Sequence, residues 1–490
     1  MKILKLLIIT LTILIGVFKP GDCDLPCRAR DVGIEGRSIV CVCDANYCDT
    51  ITKETPAKGT FVAYTSSNDG KRFEKSYGVV NGFGAANNEL SNESTQDDDS
   101  IESNLCIRKN VVLRVMTSSK KQTIEGFGGS VTDAAGINWR KLSAAAQKQL
   151  MKLIPMIEMA KAMATDEVKI TATAWSSPIW MKTNEAITGF GQIKPEFYQS
   201  YADYHMRFLE EYEKFNIKIW AITTTNEPIN GVVPTVNFNS LGWFPRQLGR
   251  WVANNLGPTV RNSRFNETLI LAVDDQRYII PIWLRGMEKE DPKSIEYIDG
   301  IAIHYYGNFM PATVLTRIQK KYPGKILLST EACEGPMPWD KNKVEVGSWD
   351  RAAKYTRSIL EDLNNFVVGW IDWNLCLDEN GGPNWAHNYV DAPVLVYGER
   401  DEFIKQPMYY ALGHFSKFIP RGSQVVEVSR MSSATVPNIA VVTPEGNLVL
   451  VLHNMNKYET NVRIRISTLR YVDIVLEHES IKTVEINPNN

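Results

Sequence analysis

From about residue 118, short apolar runs that end in polar residues alternate with amphipathic stretches. The runs Thr123–Gly129, Val168–Trp175, Ile217–Glu227, Leu269–Asp275, Gly300–Tyr306, Lys325–Glu331 and Val367–Asn374 read as strands. Between them, Ser200–Phe215, Pro245–Leu256 and Ser348–Phe366 carry helical periodicity, the second opened by Pro and the third by a Ser cap. This alternation predicts an α/β domain with a parallel sheet. On either side the period changes to two. Residues 24 to about 115 hold short β-like runs with turn residues. After Gly422 the runs SQVVEVSR, IAVVTPEGNLVLVLH, VRIRISTLR, VDIVLE and KTVEI follow, with PEGN as a hairpin signal. The expected organisation is a disulfide-bonded segment over 24–52, an all-β sandwich built from 53–115 and 422–490, and a (β/α)8-type barrel over 116–421.

An eight-stranded barrel needs one more strand than these seven. The stretch LSAAAQKQLMKLIPMIEMAKAM contains two helical pieces separated by Pro155 and no strand between them. A βα repeat with its crossover takes about 30 residues or more, so the second strand is expected to be missing. The polar, acidic stretch Asn87–Ser103 reads as a surface loop.

The N-terminus changes the picture of the compartment. Lys2 and Lys5 precede an apolar run from Leu6 to Phe18, which Lys19 and Pro20 end. This is the pattern of a cleaved secretory signal over 1–23, too short to span a bilayer comfortably. No later segment approaches a transmembrane helix. Four of the eight cysteines, Cys27, Cys41, Cys43 and Cys48, crowd just behind it. In an oxidising lumen they form two disulfides, with Cys27–Cys41 and Cys43–Cys48 favoured among the three pairings. A zinc knuckle fits poorly with secretion. Cys106, Cys333 and Cys376 read as buried thiols, and Asn92 and Asn266 open glycosylation sequons. The net charge of -2 and the lack of a polybasic block argue against nucleic acid as a partner.

The candidate chemistry sits where strands end, which is where barrels place catalytic groups. TTTNEP puts Asn226 and Glu227 at one such end, and LLSTEAC puts Glu331 at another. A single Glu there is most often a salt bridge or a cap. Two, on separate strands, are what glycoside hydrolysis uses: one protonates the leaving oxygen and the other attacks the sugar. An Asn before the acid suits a hydrogen bond to the sugar 2-hydroxyl. Trp175, Tyr306, Trp373 and Trp385 lie at or beyond other strand ends, where their rings suit the walls of a sugar site. His205, His304, His387, His414, His453 and His478 form no metal-binding pair of the HExxH kind, and GFGGS is not followed by the Lys-Ser/Thr of a phosphate loop. Neither metal nor cofactor is expected.

These residues sit within stretches that resemble the lysosomal glucosylceramidase (acid β-glucosidase) family of retaining glycoside hydrolases. The matching stretches are VCVCDANYCDT, GFGGSVTDAAG, AWSSPIWMKTN, TTTNEP, LAVDDQR, GIAIHYYG, STEAC, GSWDRAAKY, VVGWIDWNL, GGPNWAHNYVDAPV and KQPMYYALGHFSKFIPRGSQ. The resemblance implies Glu227 as acid/base and Glu331 as nucleophile, Asn226 holding the 2-hydroxyl and Tyr306 orienting the nucleophile. It places Trp175, Trp373 and Asn388 in the glucose subsite, with His304 supporting the nucleophile's surroundings. It implies glucosylceramide as substrate, a saposin-type activator and an anionic lipid surface as partners, and the lysosome or secretion as destination. Two departures stand out. The family's second strand, which brings an Arg and a glucose-binding Asp, has no counterpart, and Val236 stands where the family has Tyr. An omitted segment and natural divergence both account for the gap. The competing readings are an impaired or inactive glycolipid-binding homologue and another retaining glycanase of the same clan. The N-terminal cysteine cluster argues against the latter.

Overall fold

The computed structural model describes residues 9–14, 24–82, 110–151, 167–233, 236–374 and 376–488. It divides into two units, Met1–Thr52 with Gln122–Arg421, and Lys53–Lys121 with Gly422–Asn490. The division falls beyond the expected 115/116 because the strand Asn110–Thr123 runs on past that point.

In the first unit, short apolar runs pair side by side because both of their faces are covered. The barrel strands are, in chain order, β1 (Ile9–Leu14), β2 (Gly126–Val131), β3 (Lys169–Ala174), β4 (Ala221–Thr223), β5 (Leu269–Gln276), β6 (Gly300–His304), β7 (Ile326–Glu331) and β8 (Val367–Asp372). They close in the order β1-β2-β8-β7-β6-β5-β4-β3. Strands β2 to β8 run parallel to one another. Inside, Ala221 and Ala302 alternate with Leu271 and Leu328, so small and large side chains fill the lower barrel with Val368 and Ile371. Outside, Ile170, Ile222, Ile270, Ile301 and Leu327 meet the helical layer. There Trp251 stacks on Trp243 and Tyr201 with ring centroids 5.0 and 5.2 Å apart. Burying a large apolar side chain contributes roughly 1.5–3 kcal/mol.

The expected gap beside the first parallel strand is not left open. Residues 152–166 lie outside the described residues, and the place of a strand from that region is taken by β1. This strand comes from the stretch read as a leader. It runs antiparallel to both neighbours, with Leu11 opposite Val131 and Ala172, and Ile13 opposite Gly129 and Ile170. Two physical reasons favour the pairing. Without it, β2 and β3 would bury unpaired backbone groups, each costing about 1–3 kcal/mol. The sequence ITLTIL also alternates in phase with KITATA opposite, so that Thr10 and Thr12 register with Thr173 and Thr171. The sequence GFGGS forms β2 itself rather than a loop. Its glycines let strands approach: a Cβ on Gly369 of β8 would stand 2.3 Å from the Gly126 carbonyl oxygen.

Residues 24–52 belong to this unit. Val40–Asp44 enters a five-stranded sheet with Ala29–Arg30, Glu402–Lys405, Val394–Tyr397 and Cys376–Asp378. Disulfides join Cys27 to Cys41 and Cys43 to Cys48, with Cα separations of 5.2 and 4.4 Å, the favoured pairing. Arg30 grips Glu402 through two hydrogen bonds of 2.6 and 2.8 Å. Cys333 and Cys376 are buried free thiols; Cys106 and Asn92 lie outside the described residues. Asn266 is exposed.

The helical expectations shift only at their ends, to Tyr198–Glu213 and Trp349–Asn364, the latter capped by Ser348. Pro245–Trp251 passes through a wider turn, Val252–Leu256, into Gly257–Arg261. The second unit is a nine-stranded sheet whose strands pack Phe61, Leu113, Leu450, Ile464 and Val484 into one core. Residues 444–447 turn the hairpin between Asn438–Val442 and Leu448–Asn454, with Gly446 at φ 90°.

Candidate active site

Toward the C-terminal ends of the parallel strands the apolar filling gives way to polar groups. Thr173 of β3, Thr223 of β4, Asp274 of β5, His304 of β6, and Thr330 and Glu331 of β7 line one small cavity. β4 stops at Thr223, earlier than expected. The chain then crosses the mouth as TTNEP, tied by Asn226 N–H to the Ala174 carbonyl and by Glu227 N–H to the Asp274 carbonyl, both 2.9 Å. Glu227 adopts a left-handed backbone (φ 37°) before the turn Pro228–Gly231. For a residue other than Gly this costs of order 1–3 kcal/mol and persists where its surroundings hold it.

Several groups hold the Glu227 carboxylate. Its Oε1 accepts from Gln276 Nε2 at 2.6 Å and lies 2.9 Å from His304 Nδ1, and its Oε2 accepts from Asn230 Nδ2. Across the mouth, Glu331 closes β7. Its Oε1 accepts from the Tyr306 hydroxyl at 3.0 Å and stands 3.8 Å from His304 Nδ1. The ligand atoms of Glu227, His304 and Glu331 all lie within 4.8 Å of one another. His304 sits nearer the first carboxylate than the second. Its other nitrogen, Nε2, is 3.1 Å from Asp274 Oδ1. As a donor set these three resemble a cation site, and only an imidazole that donates from both nitrogens, to Glu227 and to Asp274, would have no lone pair to offer a metal. In the other candidate set, Cys43, Cys48 and Asp49, the sulfurs are spent in a disulfide.

Burial raises Glu331 to about 8, helped by Glu227 and Asp274 and opposed by His304 and Tyr306. Burial also drives Asp275 well up, with the Glu227 charge adding to it. Burial alone would lower His304, but Glu331, Asp274 and Glu227 outweigh it and hold the imidazole well above its ordinary value. Among the described residues, no guanidinium or ammonium forms an ion pair with these carboxylates, so His304 is the basic side chain they share.

Of the other expected residues, Trp175 stacks on Trp373 with centroids 4.9 Å apart. The side-chain oxygen of Asn226 is buried without a hydrogen-bond partner among the described residues. Asn388 donates its backbone N–H to Asn384 Oδ1, and among the described residues no hydrogen bond joins it to the carboxylates; Trp385 is 55% exposed. Val236 is half-buried. The sequence reading missed Asn230, Asp274, Gln276 and Phe238, whose ring meets Trp175 edge-on at 5.7 Å. LAVDDQR was visible as a stretch, but nothing in it says which acid turns inward.

A carboxylate pair across the mouth of a barrel is the equipment of a glycoside hydrolase. Two family descriptions match this chain: the glycosyl hydrolase family 30 TIM-barrel domain over residues 151–419, and the glycosyl hydrolase family 30 beta sandwich domain over 422–484. Lysosomal acid glucosylceramidase of Mus musculus is 33% identical, covering 94% of this chain and 95% of that protein. Putative glucosylceramidase 3 of Caenorhabditis elegans is 32% identical over 97% and 98%. The chain belongs to glycosyl hydrolase family 30, with the lysosomal glucosylceramidases. Among solved structures, SrfJ from Salmonella typhimurium shares the fold with a TM-score of 0.74 at 22% identity, covering 88% of this chain and 100% of that one.

Proposed function

We propose that this glycoside hydrolase is a retaining β-glucosidase that cleaves glucosylceramide to glucose and ceramide. The approach of Glu227 and Glu331, with ligand atoms within 4.8 Å, carries the reading. Retaining enzymes hold their carboxyl groups about 5–5.5 Å apart and inverting ones about 6.5–9.5 Å apart. In the first step Glu331 attacks the anomeric carbon while Glu227 passes its proton to the glycosidic oxygen, and ceramide leaves as the alcohol. In the second, Glu227 takes a proton from water, which attacks the same carbon and releases Glu331. Tyr306 steadies the nucleophile. Asn226, with its unpartnered oxygen, meets the sugar 2-hydroxyl, and the Trp175–Trp373 stack forms a wall, with Asn388 entering the subsite from its loop. Glucose release from glucosylceramide, lost in Glu331→Gln, is the test.

One observation favours a second reading, an impaired glycolipid-binding homologue. β1 carries no charged residue, so the place of the family's second strand supplies neither its Asp nor its Arg. Binding of glucosylceramide vesicles without glucose release identifies this case.

We further propose delivery through the secretory pathway to the lysosome or outside the cell, with Asn92 and Asn266 as glycan acceptors and a saposin-type activator and anionic lipid as partners. No helix among the described residues is long and apolar enough to cross a membrane. Cleavage behind residue 23 would remove β1, so leader and barrel strand are exclusive fates of the same residues.

A further inference from the structure

The end of β5 is built irregularly. Its pairing with β6 shifts register between Val273 and Asp275, a bulge. Val273 and Asp274 both adopt positive φ, 75° and 54°. A β-branched residue there is an outlier that survives only where its surroundings over-determine it. The bulge turns Asp274 into the barrel and leaves Gln276 to reach Glu227. Asp274 is 1% exposed. Its Oδ1 accepts from Thr330 of β7 at 2.6 Å and faces His304 Nε2 at 3.1 Å; its Oδ2 accepts from Thr173 of β3 at 2.8 Å. Two strands therefore fix a carboxylate that reaches the reacting pair only through an imidazole.

We propose that Asp274 is a positioning residue that locks the His304 ring against Glu227 and leaves Oε2 of Glu227 as the oxygen that carries the transferable proton. The proposal rests on Glu227 and Glu331 being the reacting pair. A neutral imidazole has one N–H and would turn a lone pair toward one of its two carboxylate partners; a charged one donates to both. The groups facing His304 are Glu227 beyond β4, Asp274 and Asp275 from β5, Glu331 from β7, and the Tyr306 ring 6.2 Å away. All four ionisable neighbours other than the phenol are acids, which accords with the raised basicity of His304. Oε1 of Glu227 faces two donors, His304 and Gln276, and Oε2 faces one, Asn230, so the proton belongs on Oε2.

The test is Asp274→Asn, which keeps the shape and removes the charge. Histidine-ring nitrogen NMR at pH 7 is expected to show His304 protonated at both nitrogens in the wild type and at one in the variant. Turnover should fall about 10- to 100-fold for a poor leaving group, with KM little changed. The high-pH limb of kcat/KM should move to lower pH, because His304 loses its proton sooner. An unchanged His304 spectrum and unchanged limb would overturn the proposal. So would a wild-type Nε2 that lacks its proton at pH 7, and this outcome can be read even if the variant does not fold. Failure of the functional reading looks different: wild-type protein then releases no glucose, while the NMR comparison stands.

Discussion

The hydroxyl of Tyr306 donates a hydrogen bond of 3.0 Å to Glu331, so the second residue after β6 holds the carboxylate that ends β7. In a site where burial opposes ionisation of Glu331, this bond favours the charged form that attacks in the proposed mechanism. Tyr306→Phe removes it. Hydrogen bonds to charged groups contribute about 1.5–3 kcal/mol, so kcat/KM should fall roughly 10- to 100-fold. The acid limb of the pH profile should also move upward, because Glu331 then ionises later. A pH–rate profile of the variant on an aryl glucoside checks both.

Glu331→Gln should stabilise the folded chain while abolishing turnover. Burial lifts Glu331 from 4.5 to about 8, so the folded state keeps a proton that the unfolded state gives up. Its contribution to stability is therefore fully present below about 4.5 and is lost as pH rises toward 8. The advantage of the Gln variant should be small at pH 4.5 and reach on the order of 2 kcal/mol or more at pH 8. Denaturant unfolding of both proteins across this range measures it. A difference that does not vary with pH would place the Glu331 carboxyl in a solvated setting.

Glu227→Gln should lower turnover about 10²–10⁴-fold on ceramide-like leaving groups. Activated aryl glucosides hardly need protonation, so their glycosylation step should suffer less. Equal losses on both substrates would remove Glu227 from the acid role.

Removal of residues 1–23 should weaken the barrel. β1 pairs along all of its six residues with β3 and along four with β2. Unpaired edges at several such positions rival a typical total stability of about 5–15 kcal/mol. A chain beginning at Asp24 should melt well below the full chain, and insertion of the family's second strand between Lys152 and Ile154 should restore both melting temperature and turnover. Equal melting of the long and short forms would show that β1 plays no part in the folded barrel.

The alternation of apolar runs and helices was enough to place the parallel strands, because strand ends in a barrel carry polar residues. Glu227 and Glu331 were legible for the same reason: each closes a run that is otherwise apolar or Thr-rich. Asp274 was not. It lies beside Asp275 in DDQ, both are buried, and which of the two contacts His304 is set at a bulge beside a Val, a residue that ordinarily argues against a positive φ. β1 was hidden differently. An apolar segment behind two lysines has the same composition whether it leads a chain through a membrane or closes a barrel. The pairing that distinguishes these joins residues more than a hundred positions apart. Phe238 and Asn230 come from the loop beyond β4, where no periodicity exists to read.

In the proposed retaining mechanism Glu331 forms the covalent intermediate. Treatment with a 2-deoxy-2-fluoro-β-glucoside that carries a good leaving group, followed by proteolysis and mass spectrometry, tests it most directly. A single fluoroglucosyl adduct is expected on the peptide containing Ser329-Thr330-Glu331, lost in Glu331→Gln. An adduct on any other carboxylate, or turnover with no adduct and inversion at the anomeric carbon, would contradict it.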